Sequence, residues 1–124
     1  MAKIKEIIEQ VDQNIPNAFK QERKLAWIAE LDGRIAADVF LMGIEDVQQL
    51  HYKYPEDLES EPLVGFPHDS LYPLWLEAQI DFANREADKY QNSMAMYNAA
   101  YNRFVRWVAQ TYDPAQGYRY VEGG

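Results

Sequence analysis

An interruption in an otherwise helical pattern constrains this fold more than any other feature of the sequence. Residues 41–69 contain two glycines and three prolines: Gly43, Pro55, Pro62, Gly65 and Pro67. These residues exclude a long helix or strand across the segment. A structureless loop of about 30 residues is uncommon in a compact domain and is usually functional or disordered. Two stretches, 47–54 and 62–67, are apolar enough to be ordered, and a short helix, a β-hairpin and an extended arm all remain open.

Helical patterns precede this inserted segment. A first helix is predicted up to about Asn14, ahead of Pro16, because its apolar residues recur at helical spacing: Ile4, Ile7, Ile8 and Val11. A second helix is predicted from about residue 18 or 20 to 40, with Asn17 as a candidate N-cap. Its apolar stripe is Leu25, Ile28, Leu31, Ile35 and Val39.

Two residues inside the second helix are unusual. Gly33 costs about 1 kcal/mol relative to Ala in a helix interior, and close packing against a neighbouring helix is the usual explanation. Asp32 lies near the edge of the apolar stripe. Acidic residues are seldom buried without a partner, so we expect Asp32 at the rim or bonded to a neighbouring helix.

Two further helices are predicted after the inserted segment. The third begins after a candidate N-cap, Ser70, and runs to about residue 89 or 90. Within it, Asp81 and Arg85 are expected to form an exposed i, i+4 pair. The fourth runs from about 93 to 111 before Asp113 and Pro114 end it, and its apolar residues form a heptad-like seam: Met94, Tyr97, Tyr101, Phe104 and Val108.

These patterns predict an all-α fold, a small four-helix bundle-like domain. The domain spans residues 1–114, with an inserted acidic arm at 41–69 and a flexible C-terminal tail at 115–124. The tail is expected either to fray or to add a strand to a neighbouring sheet. Five aromatic residues on or beside the helical stripes are expected in the core: Trp27, Trp75, Tyr97, Tyr101 and Trp107.

The charge distribution excludes several classes of function. The net charge is −8, and residues 41–69 carry seven acids against one lysine. Specific nucleic-acid binding needs clustered Lys and Arg, which the sequence lacks. The N-terminal residues do not resemble a signal peptide, and no apolar run approaches the roughly 20 residues of a membrane helix. We therefore expect a protein with no membrane partner and no specific nucleic-acid binding.

Residues that could carry catalysis or hold a metal are sparse. The chain has no cysteine and two histidines, His51 and His68, without metal-ligand spacing. They are expected to be exposed loop residues. The acidic run 56–61 lacks the pattern of a calcium-binding loop. No serine has an identifiable base beside it, so we expect no catalytic, cofactor or metal site and no enzymatic activity.

Aromatic and acidic residues outside the predicted helices are the candidates for a protein interface. Large aromatics with a polar group are enriched at such interfaces. The candidates are Tyr52, Tyr54, Glu56, Asp57, Glu59, Glu61, Phe66, Tyr118 and Tyr120.

The second half of the chain carries a family resemblance. The segment YPLWLEAQIDF at 72–82, followed by YQNS at 90–93 and MYNAAYNRF at 96–104, resembles the small helical head-to-tail connector or adaptor proteins of tailed bacteriophages and prophages. The resemblance covers the last helix pair and the order of the parts. It implies a homo-oligomeric ring, typically a dodecamer on the portal, with DNA passing through its centre.

The resemblance also implies partners and a location. The partners are other copies of the chain, the portal protein and the neighbouring neck or tail protein. The location is the virion neck, and the host cytoplasm during assembly. The acidic arm and the tail would reach these neighbours. A ring needs two different complementary patches on each subunit, and the acidic arm and a basic pair, Arg103 and Arg106, are candidates.

A different class of function also fits the sequence. A small helical adaptor, tail-assembly chaperone or inhibitor that binds one protein partner would need the same compact body and exposed aromatics. An acidic arm that mimics nucleic acid is a variant of this alternative.

Overall fold

The computed structural model describes residues 2–113 and 117–118, and its architecture is all helical. The helices are α1 (Ile4–Asn14), α2 (Gln21–Asp38), α3 (Ile44–Gln48), α4 (Leu71–Ala83) and α5 (Ala87–Thr111), with a 3-10 turn at Glu56–Glu59. Two-residue strands, β1 (Tyr112–Asp113) and β2 (Gly117–Tyr118), pair antiparallel after α5. The predicted all-α, bundle-like fold class is confirmed. Most of the predicted tail, 115–124, lies outside the described residues.

Helix α4 occupies the centre of the bundle. It packs along α5, and α1 and α2 also contact it. It therefore buries residues on more than one face, including Tyr72, Trp75, Leu76 and Ile80. Each such large apolar side chain contributes about 1.5–3 kcal/mol when it is fully buried. In the described part of the chain, no helix is long and apolar enough to cross a membrane.

Helix α1 forms as its pattern predicts. All four residues of its apolar stripe are buried. The helix begins where the backbone N–H of Lys3 donates to Oε1 of Glu6, 2.9 Å away, which satisfies one amide of the first turn. It ends at Asn14, and Ile15 is extended ahead of Pro16 as the proline requires.

The start of α2 and its glycine differ from the predictions. The residue that caps α2 is Lys20, whereas Asn17 forms a local turn in which its side-chain oxygen accepts from the Phe19 N–H at 3.1 Å. The prediction that Asn17 caps the helix is therefore wrong. The close-packing explanation for Gly33 is also wrong, because a Cβ built there meets no atom within 4 Å.

The boundary between α4 and α5 lies earlier than predicted. Helix α4 ends at Ala83 and α5 begins at Ala87, not near residue 93. Arg85 has a φ of 58°, a left-handed conformation that breaks the helical path. The seam of α5 faces the core, with Tyr97, Phe104 and Val108 buried and Met94 and Tyr101 half-buried.

The inserted segment 41–69 packs against the helices. It contains α3 and the 3-10 turn, and none of its residues forms a strand. Of the alternatives that the sequence allowed for this segment, the β-hairpin is therefore not formed. Leu58 and Val64 belong to the same apolar core as the helices. The N–H of Ile4 donates to the carbonyl oxygen of Ser60, 2.9 Å away, which ties the segment to the start of α1.

The predicted aromatic core is present. Trp75 and Tyr97 are buried, with ring centroids 5.1 Å apart. Trp27, Tyr101 and Trp107 are half-buried and pack against the same core. The indole N–H of Trp75 donates to the carbonyl oxygen of Trp27 at 2.8 Å, so the polar atom of this buried ring is satisfied.

Candidate functional site

The most deeply buried charged group of the described chain is the carboxyl group of Asp32 on α2. The residue is 0% exposed. Three donors converge on it: the Tyr52 hydroxyl at 2.5 Å, the Tyr72 hydroxyl at 2.6 Å and the Leu63 N–H at 3.0 Å. We call these four residues the Asp32 cluster. Tyr52 and Leu63 come from the inserted segment, so this carboxyl joins that segment to α2 and α4.

A second hydrogen bond extends the Asp32 cluster. The Tyr72 hydroxyl also accepts from the N–H of Val64, 2.8 Å away, while it donates to Asp32. The inserted segment is therefore held at two consecutive amides, Leu63 and Val64. No buried side-chain nitrogen or oxygen of the described residues lacks a hydrogen-bond partner. Such complete pairing stabilises a buried polar group, whereas partial pairing would cost free energy.

The electrostatics of the cluster follow from burial without a cation. Burial raises the pKa of Asp32, and the hydrogen bonds from Tyr52, Tyr72 and Leu63 partly oppose that rise. Burial and the nearby Asp32 charge raise the pKa of Tyr52 and of Tyr72. Both hydroxyls therefore remain protonated donors at neutral pH. This arrangement holds the inserted segment to α2 and α4.

The outer side of the inserted segment is tied to α1 by charge. The Nζ atoms of Lys3 and Lys5 lie 3.0 and 2.7 Å from the Glu59 carboxylate. Hydrogen bonds from Lys5 and Lys3 lower the pKa of Glu59. Asp57 accepts from the Lys53 N–H at 2.6 Å and from the Ser60 hydroxyl at 2.9 Å, which closes the 3-10 turn.

The candidate interface residues therefore divide into groups. Tyr52, Asp57 and Glu59 make contacts within the chain. Phe66 is 85% exposed and Tyr54 is 44% exposed. Glu56 and Glu61 are also exposed. Of Tyr118 only the backbone is described, in β2, and Tyr120 lies outside the described residues.

The two histidines have different surroundings. His51 is exposed as predicted, but His68 is half-buried. The His68 ring lies 5.6 Å from that of Phe104 and 5.1 Å from that of Trp107. Burial and the charge of Arg103 lower the pKa of His68. Among the described residues, no group of three or more His, Asp or Glu side chains is placed to hold a metal ion.

Two further buried polar residues connect neighbouring helices. Asp81, predicted to pair with Arg85 on the surface, is 5% exposed and accepts from the Ser93 hydroxyl at 2.5 Å. That prediction is wrong, because the early end of α4 turns Arg85 away into the interhelix turn. Lys24 is 2% exposed and its Nζ lies 2.6 Å from Asp12, which joins α2 to α1.

The spacing of the apolar stripe on α2 contains a signal for the burial of Asp32. The positions 25, 28, 32 and 35 follow a 3, 4, 3 spacing, so Asp32 lies on the buried face rather than at its edge.

No known family model, curated protein or solved structure matches this chain.

Proposed function

We propose that this chain is a structural subunit of the head-to-tail connector of a tailed bacteriophage or prophage. It acts without enzymatic activity or cofactor, as one copy in a ring between the portal and the next neck or tail protein. DNA passes through the centre of the ring. The subunit belongs to the virion neck and is in the host cytoplasm during assembly.

The observation that carries this proposal is the sequence pattern of the α4–α5 pair. The segments 72–82, 90–93 and 96–104 resemble connector proteins, and they lie in the two helices that pack most extensively against each other. They contribute core residues such as Trp75, Tyr97 and Phe104. The resemblance therefore falls on the framework of the domain, as expected when family members share a fold.

The role of the buried polar groups supports a scaffold. Asp32, Asp81 and Lys24 each bond to a side chain on another element. Buried titratable groups of an enzyme face a cleft that admits substrate. Here Asp32 and Lys24 join helices and the inserted segment, which favours a protein that assembles over one that catalyses. Asp81 also joins two helices, although it lines a surface cleft as well.

The net charge also fits a conduit for DNA. At −8, the subunit repels a polyanion that moves past it. Glu56 is exposed, and its side chain forms no hydrogen bond or ion pair with other described residues. A ring of such subunits would present unneutralised carboxylates rather than a surface that binds phosphate.

The genome that encodes this chain provides the first test. Portal and capsid genes on one side and tail genes on the other are expected. Deleting the gene should yield DNA-filled heads and finished tails that remain unjoined in electron micrographs. Expression of the wild-type gene in trans should restore whole virions, and infectious virions from the deletion strain would refute the proposal.

A second candidate is a small helical adaptor, chaperone or inhibitor that binds one protein partner. The exposure of Phe66, at 85%, and of Phe82, at 64%, favours it, because aromatic side chains are enriched at protein interfaces. It predicts a stable one-to-one complex. The connector instead predicts many copies per virion neck, which quantitative mass spectrometry of purified virions would measure.

A further inference from the structure

We propose that neighbouring copies of this chain bind head to tail through two different surfaces, a deepening that rests on the proposed ring. The first, the α3 surface, is formed by Leu41, Ile44, Glu45 and Asp46. The second, the α5 surface, is formed by Ala99, Asn102, Arg103, Val105 and Arg106.

The α3 surface is apolar at its centre and acidic beside it. Helix α3 packs on α2, yet it has no buried residue. Ile44 is 78% exposed and Leu41 is 63% exposed, two of the most exposed large apolar side chains in the described chain. Glu45 and Asp46 follow Ile44 directly and are also exposed. This surface therefore exposes apolar area that no other described part of the chain covers.

The α5 surface is the solvent-facing side of the longest helix. Ala99, Asn102, Arg103 and Arg106 lie at i, i+3, i+4 and i+7, so they share one face. All four are exposed, whereas Tyr97, Phe104 and Val108 point into the core. With Val105 they line a shallow groove of about 500 Å³. The small side chain of Ala99 leaves room for an apolar group to enter.

The arginines of the α5 surface have no acidic partner among the residues that the structure describes. Within residues 2–113, neither Arg103 nor Arg106 forms an ion pair. Residues 93–111 contain these two arginines and no acidic residue, so this stretch is positive in a chain of net charge −8. An acidic surface can approach these two arginines without repulsion, because no carboxylate of the described residues pairs with them.

Charge complementarity selects a second copy as the occupant. Two chains of charge −8 repel each other except where a positive face meets a negative one. Each copy carries one such positive face on α5 and one acidic face with an apolar centre on α3. The two surfaces differ, so the contact is heterologous, and a bound pair keeps a free α3 surface at one end and a free α5 surface at the other. Such a contact closes into a ring when its rotation allows.

Site-directed crosslinking tests this contact directly, because the wild-type chain has no cysteine. Ile44→Cys and Ala99→Cys variants are mixed at about 1 mM, a concentration that populates a contact with a Kd near 1 mM. A short bismaleimide should link the two variants to each other. Neither variant alone should dimerise above background, and a chain with both cysteines should form a ladder of multimers. Gln13→Cys, exposed on α1, replaces Ala99→Cys in the matched control.

Charge reversal adds a readout that misfolding cannot mimic. Arg103→Glu with Arg106→Glu in the Ala99→Cys chain should lower the crosslink yield at least tenfold. Glu45→Lys with Asp46→Lys in the Ile44→Cys chain should then restore it. Lys20→Glu is the control, because it reverses a positive charge at another exposed site. It should leave the crosslink yield unaltered.

The outcomes separate this inference from the proposed function. A yield between Ile44→Cys and Ala99→Cys no higher than the Gln13→Cys control overturns the head-to-tail surfaces. A strong Ile44→Cys homodimer also overturns them, because it shows a two-fold contact. If gene deletion still leaves heads and tails unjoined, the connector role stands without these surfaces. If crosslinks form and virions assemble without the gene, the surfaces stand and the connector role fails.

Discussion

Replacing Asp32 by alanine should destabilise the protein strongly, because the carboxyl group is the acceptor at the centre of the Asp32 cluster. The change removes the acceptor for the Tyr52 hydroxyl, the Tyr72 hydroxyl and the Leu63 N–H. Tyr72 is 0% exposed, so its hydroxyl cannot turn to water. Tyr52 and Leu63 are half-buried and regain part of their hydration.

The size of the effect follows from these exposures. A buried donor left without a partner costs about 1–3 kcal/mol. Tyr72 should incur the full cost and the other two donors a part of it, while removal of a buried carboxylate returns some free energy. We expect Asp32→Ala to lower the free energy of unfolding by about 2–4 kcal/mol, a large fraction of the roughly 5–15 kcal/mol typical of a domain.

Urea unfolding followed by circular dichroism measures this loss. Asp32→Asn keeps the volume and one acceptor oxygen, so it should cost less than the alanine variant. Tyr52→Phe removes one hydrogen bond and should cost about 1 kcal/mol, which keeps a folded protein available if Asp32→Ala does not fold. Limited proteolysis of Tyr52→Phe should cut within residues 41–69 before it cuts the helices.

The matched control is Glu30→Ala, two positions earlier on the same helix. Glu30 is exposed, and among the described residues its carboxylate pairs with Arg34 alone, so its loss should change the free energy of unfolding by less than about 0.5 kcal/mol. If the free energy of unfolding of Asp32→Ala lies within 1 kcal/mol of the wild-type value, Asp32 does not anchor the inserted segment as we infer.

Three other predictions concern single groups. The raised pKa of Asp32 means that the folded chain holds the carboxyl proton more tightly than the unfolded chain. The difference in free energy of unfolding between wild type and Asp32→Asn should therefore favour wild type most below pH 3.8 and fall as the pH rises through the folded-state pKa. Urea titrations of both proteins across this pH range measure the difference, and a constant difference would contradict the prediction. Gly33→Ala should stabilise the chain by up to about 1 kcal/mol in thermal unfolding, because an added Cβ meets nothing, and a loss of stability would show a hidden close contact. Ser93→Ala should cost about 1–3 kcal/mol, because it removes the hydroxyl that donates to buried Asp81; exposed Asn92→Ala is the control, and equal effects of the two would argue against that bond.

Local periodicity predicts much of this fold. The α1 stripe and the α5 seam are amphipathic patterns that any buried helix must show, and both face the core. The boundary between α4 and α5 was not predictable in the same way. The turn contains Asn84, Arg85 and Glu86, with no glycine or proline, and the left-handed φ of Arg85 depends on how the two helices pack.

The Asp32 cluster shows what local patterns leave out. The spacing of the stripe could place Asp32 on the buried face, but it could not supply the donors. Tyr52, Leu63 and Tyr72 follow Asp32 by 20, 31 and 40 positions, and no local signal marks them as its partners. The inserted segment was accordingly expected to form an arm on the basis of its charge and prolines. Its buried anchors are two backbone amides and one hydroxyl, which composition does not reveal.

These sequence separations also imply an order of folding. Helices α4 and α5 are joined by the three-residue turn 84–86, so their pairing closes a short loop. The hydrogen bonds of the Asp32 cluster close loops several times longer, and their formation therefore has a larger entropic cost. We expect Tyr52→Phe to accelerate unfolding and leave the refolding rate nearly unchanged in stopped-flow measurements, because its bond forms after the rate-limiting step. A slowed refolding limb would contradict this order. On this view the helical hairpin is complete while Asp32 is still hydrated, and the carboxyl loses its water last.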